Sequence, residues 1–424
     1  MSYESRRIRL PFSAITRKTD FLLAAFFACI HVLLTTIVYH YVPENYMDEV
    51  FHITQTRLYC AGNYTWNPLI TTPPALYVLS MPFCGGYERY ANSVVMFFTI
   101  PALCRFRRMF LRTDVWLTVS IVAMLPIVLC TQVLFYTDLL SLMAVMWGFT
   151  IGNPHLSSLF FLLACLTRQT NIVWAAVYAF SVLASKIDTS KSVHQNFKAL
   201  VPIVFWLWPF VSLAVGFIGF IYWNNFQIVL GDAKAHQPKL HLAQFLYMLG
   251  FSAAHSWAQM MPDFFSHLRQ LIDFKARILI PIFACFAYYF TYSHEYLLAD
   301  NRHLTFYLWR RIFENPFKRA SLTALYVFAV RFMATSTPNV HVFHKTLFIV
   351  ASLLLLVPAH LFEMRYYIVP YVVWRLAVSN HPRKSFLVLE LVSQCALFGA
   401  AFSLFLFKTF EWPNEPGVKQ RIMF

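Results

Sequence analysis

Nine long stretches of this 424-residue chain contain no Asp, Glu, Lys or Arg: 21–43, 115–137, 139–167, 169–185, 199–231, 240–262, 278–294, 346–362 and 391–407. A helix of roughly 20 apolar residues spans a bilayer core, and an unpaired charge inside one is costly. These runs lack the alternation of barrel strands, which argues against an outer-membrane barrel. The chain is 59% hydrophobic and 12% charged, about half the ~25% charge of a soluble domain. So few charges cannot cover a water-exposed surface, which excludes a cytosolic enzyme and a disordered chain. Shorter runs near 88–104, 320–336 and 366–379 add further spans. The expectation is an all-α polytopic membrane protein with about 11–13 transmembrane helices. Runs 139–167 and 199–231 are long enough for a helix plus a re-entrant or interfacial piece. With no internal repeat or low-complexity tract, residues 1–424 read as a single transmembrane domain.

The charges outside the runs set an orientation. Lys and Arg outnumber Asp and Glu by 34 to 19, and short basic flanks stay cytoplasmic. Residues 1–20 carry Arg6, Arg7, Arg9, Arg17 and Lys18 and read as a cytoplasmic basic tail. The first run is too long for a signal-peptide core and lacks a convincing cleavage site, so it reads as a retained anchor. Residues 44–87 then form a first loop on the lumenal or exterior side. Arg105, Arg107, Arg108 and Arg112 mark the next cytoplasmic loop, Lys186, Lys191 and Lys198 a later one, and His381, Arg383 and Lys384 another. Between 300 and 365 the sequence leaves helix direction open. Eight cysteines lack metal-ligand spacing; Cys60 and Cys84 share the 44–87 loop and can pair there. Asn63-Tyr64-Thr65 in the same loop is a glycosylation sequon.

In a chain this poor in charge, polar clusters beside the spans are the candidate sites. Tyr46, Met47, Asp48, Glu49 and His52 follow the first span. Two adjacent acids leave a helix in different directions, so one faces a site and the other supports it, unless both merely cap a solvated helix. Partial burial is expected to raise the pKa of such an acid toward general-base range, with His52 on the Asp48 face. Trp66 to Tyr77 is a proline-fixed segment that either lines a cavity or makes a rigid turn. Asp138 and Arg168 interrupt uncharged stretches and either pair for packing or bring Arg168 to a phosphate. The segment 294–303 gathers His294, Glu295, Asp300, Asn301, Arg302 and His303; Arg and protonated His are phosphate-binding donors. Glu363 and Arg365 form a fifth cluster, and Gly231-Asp232-Ala233-Lys234-Ala235-His236 a weaker sixth. Walker, HExxH and GxSxG motifs are absent, and 11 glycines cannot supply a nucleotide cradle. The dispersed histidines suggest no metal site, no cofactor is implied, and the basicity is topological and not a sign of nucleic acid.

The string MDEVFHITQTRLYC, followed by WNPLITTPPALY, closely resembles the opening of the eukaryotic dolichyl-phosphate-glucose-dependent α-1,2-glucosyltransferases of the endoplasmic reticulum. The likeness continues, in order, through FYTD at 135–138, RQTN at 168–171, LGDAKAH at 230–236, HEYLLADNRHLTFYLWRR at 294–311 and EMRYYIVPY at 363–371. It implies an inverting, metal-independent enzyme of GT-C architecture in the endoplasmic reticulum membrane. Its lumenal active site would use dolichyl-phosphate glucose as donor, with a diglucosylated dolichyl-diphosphate oligosaccharide as acceptor and membrane lipid around it. The base role carries over to Asp48, with Glu49 the second choice, and donor-phosphate binding to His294. The family often has Pro after that histidine, where this chain has Glu295. Arg302, Arg365 and Arg168 are expected to assist at the phosphate, and His52, Tyr46, Trp66, Asp138, Asp300 and Asn301 to bind substrate. Tyr46, Tyr64, Trp66 and Tyr77 either stack on acceptor sugars or pack in a core. The rivals are another lipid-donor GT-C glycosyltransferase, a polytopic lipid or sugar transporter, and a non-catalytic scaffold. Transporters often carry internal repeats, and this chain has none.

Overall fold

The computed structural model describes residues 15–188 and 190–423. Arg6, Arg7 and Arg9 of the expected basic tail lie outside them. The helices are α1 (Lys18–Tyr41), α2 (Glu49–Cys60), α3 (Ala75–Leu79), α4 (Ala91–Phe110), α5 (Val115–Ala123), α6 (Pro126–Gln132), α7 (Asp138–Thr150) and α8 (Pro154–Thr167). They continue as α9 (Ile172–Ala184), α10 (Val193–Trp206), α11 (Trp208–Trp223), α12 (Ala243–His255), α13 (Trp257–Met260), α14 (Phe264–Arg269) and α15 (Phe274–Tyr289). The last are α16 (Glu295–Ala299), α17 (Leu304–Leu308), α18 (Pro316–Ser321), α19 (Thr323–Thr335), α20 (Val342–Leu356), α21 (Ile368–Ala377) and α22 (Ser385–Phe407). An antiparallel hairpin, β1 (Thr409–Trp412) and β2 (Glu415–Arg421), follows α22. The chain is thus an all-α membrane protein apart from this hairpin, which the hydrophobic pattern did not announce.

Charge-free runs and helices do not correspond one to one. By length and composition two described helices, α1 and α22, can cross a membrane, or up to four spans exist if each bent pair counts once. The pairs are α5 with α6, bent by 57°, and α10 with α11, bent by 67°. Proline sets both breaks: Pro126 starts α6 and Pro209 lies in the first turn of α11. The 139–167 run divides into two shorter helices because Asn153 caps α8, accepting from the His155 and Leu156 N–H groups. Gly148 lets those two helices touch: an added Cβ there would lie 2.7 Å from the Phe161 ring.

Burial follows bilayer rules. On α1 the buried stripe is Asp20, Ala24, Phe27, His31, Thr35 and Val38, while Leu22, Phe26 and Leu33 face outward. Polar and small groups thus pack between helices together with Phe27 and Val38, and the outward apolar side chains meet lipid. At one end of the bundle Arg108 makes two 2.5 Å bonds to Asp20. Arg107 donates to the Leu376 and Val378 carbonyls, and Ser379 N–H to Ser336 O. Arg105, Lys345 and Lys384 lie at this same end. The helix direction left open by the sequence is settled here. The chain reaches this basic end after α19 and returns along α20, whose last turn meets His241 at the other end through Val357 O. There the remaining connections converge on a cleft.

Candidate active site

The cleft has a volume of about 1150 Å³, above the roughly 300–1,000 Å³ of a pocket for one small ligand. Membrane helices supply an apolar part with Trp174, Leu354, Leu355, Ile368 and Val369. Loops supply the polar part: Tyr46, Asp48, His52, Asp138, Arg168, His294, Asp300, Arg302, Glu363 and Arg365. Segments from Tyr41 to Arg421 therefore build one site.

The two adjacent acids separate completely. Met47 has a left-handed backbone, φ +55°, which costs a non-glycine residue about 1–2 kcal/mol, and the chain turns there into α2. Glu49 is fully buried: Arg89 Nε and Nη2 donate to it at 2.9 and 2.7 Å, Tyr46 N–H at 3.0 Å and Phe135 N–H at 2.6 Å. It does not line the cleft and ties the α1–α2 connection to α4 and the start of α7. Asp48 keeps a side chain 43% exposed into the cleft. Its Oδ2 accepts from Arg365 Nη2 at 3.1 Å, and its Oδ1 makes no hydrogen bond among the described residues. Asp48 therefore presents a carboxylate to the cleft, and Glu49 does not.

Arg365 is the hub of the polar part. It donates to Glu363 and to Asp48, lies 3.8 Å from Asp138 Oδ2, and stacks over the Tyr136 ring. Asp138 also pairs with Arg168 at 3.0 Å, and Arg168 Nε donates to Thr137 Oγ1. The ladder Glu363–Arg365–Asp48 and Arg365–Asp138–Arg168 thus joins three of the expected clusters. It reverses one expectation. The enclosed setting would raise the Asp48 pKa, but the Arg365 charge, then His52 and His303, outweigh it and hold the carboxyl below its ordinary value. Burial pushes His52 down to about 4, so it is neutral at physiological pH, with Nδ1 2.8 Å from the Tyr77 hydroxyl.

The expected phosphate ligands are already engaged. Tyr296 N–H donates to His294 Nδ1, which leaves the proton on Nε2, and that proton goes to Ala235 O at 2.7 Å. Neither ring nitrogen offers a donor to a phosphate. Arg302 forms a bidentate pair with Asp300 and stacks over Tyr46 and Trp412. Tyr46 itself is buried, its hydroxyl donating to Arg421 O at 2.6 Å. Two expected substrate contacts lie elsewhere. Trp66 packs on Tyr77 in a side core and does not line the cleft. Asn301 Oδ1 accepts from Trp412 Nε1 and anchors the hairpin. Of the aromatic residues proposed to stack on sugars, Tyr77 is core and Tyr64 is exposed.

Arg89 and the hairpin escaped the sequence reading, and so did the packing role of Gly231, named there only as part of a weak loop cluster. Arg89 is a lone arginine with no local signature, recognisable only once Glu49 is beside it. Gly231 packs on the proline segment: an added Cβ would fall 2.2 Å from Pro68 O, and Asp232 N–H bonds that same carbonyl. The hairpin contributes Glu415, Lys419, Gln420 and Arg421 to the cleft; its turn signals, Pro413-Asn414 and Pro416-Gly417, were legible. Cys60 and Cys84 are disulfide-bonded, with a Cα separation of 6.7 Å.

The DIE2/ALG10 family matches residues 42–376, so the cleft up to α21 lies within the match and the hairpin beyond it. Proteins named Dol-P-Glc:Glc(2)Man(9)GlcNAc(2)-PP-Dol alpha-1,2-glucosyltransferase are similar over nearly the whole chain. A Homo sapiens relative is 30% identical across 90% of this chain and 93% of its own. A Mus musculus relative is 31% identical with the same coverage, and one from Kluyveromyces lactis is 28% identical, covering 90% and 84%. No solved structure matches. The chain belongs to the DIE2/ALG10 family.

Proposed function

We propose that this DIE2/ALG10 family member is an inverting α-1,2-glucosyltransferase. It moves glucose from dolichyl-phosphate glucose to the terminal glucose of the diglucosylated dolichyl-diphosphate oligosaccharide. The relatives carry that activity in their names, and the observation that carries the reading to this chain is the open Oδ1 of Asp48. Asp48 lines a cleft with one apolar and one polar part, as a lipid-linked sugar and a glycan acceptor require. The architecture is GT-C, residues 1–424 act as one transmembrane domain, and 44–87 is the first lumenal loop. The basic end faces the cytoplasm by the positive-inside rule, which puts the cleft on the lumenal side of the endoplasmic reticulum membrane.

Asp48 takes the proton of the acceptor 2-hydroxyl as its oxygen attacks the anomeric carbon on the face away from the phosphate. The carbon–oxygen bond to phosphate breaks with its electron pair on the phosphate oxygen, so a β-linked donor gives an α linkage. The transition state is oxocarbenium-like. Because the hydroxyl becomes acidic only as its bond to carbon forms, a weakly basic carboxylate suffices. Arg365 keeps that carboxylate ionised and oriented. Asp48→Asn tests the assignment: the variant should fold, localise and lose transfer by about 10²–10⁴-fold, whereas near-normal turnover refutes it. A transporter would instead move the donor without covalent change and without need for acceptor.

A further inference from the structure

A donor phosphodiester brings one negative charge into the cleft, and its cleavage leaves a phosphate with nearly two. Some cation must meet that charge. Among the described residues, six acidic side chains line the cleft (Glu44, Asp48, Asp138, Asp300, Glu363 and Glu415) against five lysines and arginines and five histidines. Four of the five lysines and arginines are committed. Arg168 pairs with Asp138, Arg302 with Asp300, and Arg365 with Glu363 and Asp48. Arg421 is buried, donating to the Tyr41, Phe405 and Leu406 carbonyls. Of the histidines, His294 has no free donor, His236 lies 3.6 Å from the Asp232 carboxylate, and burial holds His52, His303 and His360 below their ordinary value. The fifth of the lysines and arginines, Lys419, is exposed and makes no hydrogen bond or ion pair among the described residues.

The hairpin that carries Lys419 is held in place. Arg421 clamps the ends of α1 and α22 through those carbonyls. Met423 pairs with the backbone of Arg302 and Leu304 at 2.7 and 2.9 Å. Trp412 bonds Asn301, and Gln420 receives Arg302 Nη1 while donating to Glu415. The clamp sits where the first and last spans end, the depth at which the phosphate of a polyprenyl lipid lies. Lys419, two residues from Arg421, thus combines a fixed backbone with a mobile ammonium, a point charge able to follow a phosphate as its charge grows.

Building on the proposed glucosyl transfer, we infer that the C-terminal hairpin supplies Lys419 as the cation that binds the donor phosphate and stabilises the departing polyprenyl phosphate. The ammonium neither gains nor loses a proton; it neutralises the phosphate oxygen that receives the electron pair of the broken carbon–oxygen bond.

The test uses the full detergent-solubilised chain with dolichyl-phosphate glucose and diglucosylated lipid-linked oligosaccharide. Lys419→Gln should lower kcat/KM for the donor by about 10- to 100-fold, weaken product inhibition by dolichyl phosphate, and leave the acceptor KM and melting temperature unchanged. Lys419→Arg should restore most of the loss. Unchanged donor kinetics overturn the inference, as does a rise confined to the acceptor KM, which would make the hairpin a glycan contact. Should the wild type transfer no glucose, the glucosyltransferase reading fails instead. Dolichyl phosphate binding to wild type and Lys419→Gln, read by thermal shift, then decides Lys419 alone: equal shifts refute it.

Discussion

Replacing Glu49 with Gln separates the jobs of two neighbouring acids. The Glu49 carboxylate receives four N–H groups, two from Arg89 and one each from the Tyr46 and Phe135 backbones. Both charged side chains are at most 1% exposed. Gln is nearly isosteric but turns one acceptor oxygen into an NH2 that faces N–H donors and leaves the Arg89 charge uncompensated. Removing one partner of a buried pair costs about 3–5 kcal/mol. The residual Arg89 bonds to the Val42 and Glu44 carbonyls do not cancel a charge. By contrast, Asp48→Asn touches a 43% exposed side chain, and Arg365 keeps Glu363 and Asp138. Its stability cost should stay within ~1 kcal/mol. The assay is thermal unfolding of each variant in detergent, paired with glucosyl transfer per folded molecule. Glu49→Gln should melt early or fail to accumulate, and Asp48→Asn should melt like wild type yet be inactive. A Glu49→Gln protein that melts normally but does no chemistry would refute this division and return the base role to Glu49.

Arg365→Met removes the charge that holds the Asp48 pKa below its ordinary value, leaving burial to raise it. Asp48 must be ionised to accept a proton, so activity falls as pH drops through its pKa; the acid limb of the kcat/KM profile should move to higher pH in this variant, and a fixed limb refutes the coupling. Gly231→Ala places a methyl against the Pro68 and Ile70 carbonyls, which backbone cannot readily relieve; it should lower both melting temperature and activity, and a neutral result counts against the close packing of this loop on the proline segment. Asn63 is exposed, and its Oδ1 accepts from Thr65 N–H. If the cleft end is lumenal, an endoglycosidase should shift the mobility of the wild type and not of Asn63→Gln; a sequon introduced near Lys191 should stay unmodified, and its modification would reverse the orientation.

The separation of apolar from charged residues determined much by itself. Helices, membrane residence and the bias of basic residues to one end follow from local composition, because a bilayer penalises each unsatisfied charge and backbone group where it stands. Asp48, Asp138, Arg168, Asp300, Arg302 and Arg365 were legible for the same reason: each breaks a pattern in which charge is rare. Which of the charged residues stay open to the cleft was not legible. Asp48 and Glu49 are neighbours in sequence, and only the approach of Arg89 and the Phe135 N–H buries one while the other opens on Arg365. The pKa of Asp48 moves down and not up because an arginine over 300 residues away arrives beside it. His294 loses its free donors to Ala235, and the hairpin enters the cleft because Arg421 latches onto the ends of the first and last spans. Pairing partners, hydrogen-bond saturation and the sign of a pKa shift depend on what lies within a few ångströms, and in a bundle of this topology those neighbours come from remote parts of the chain.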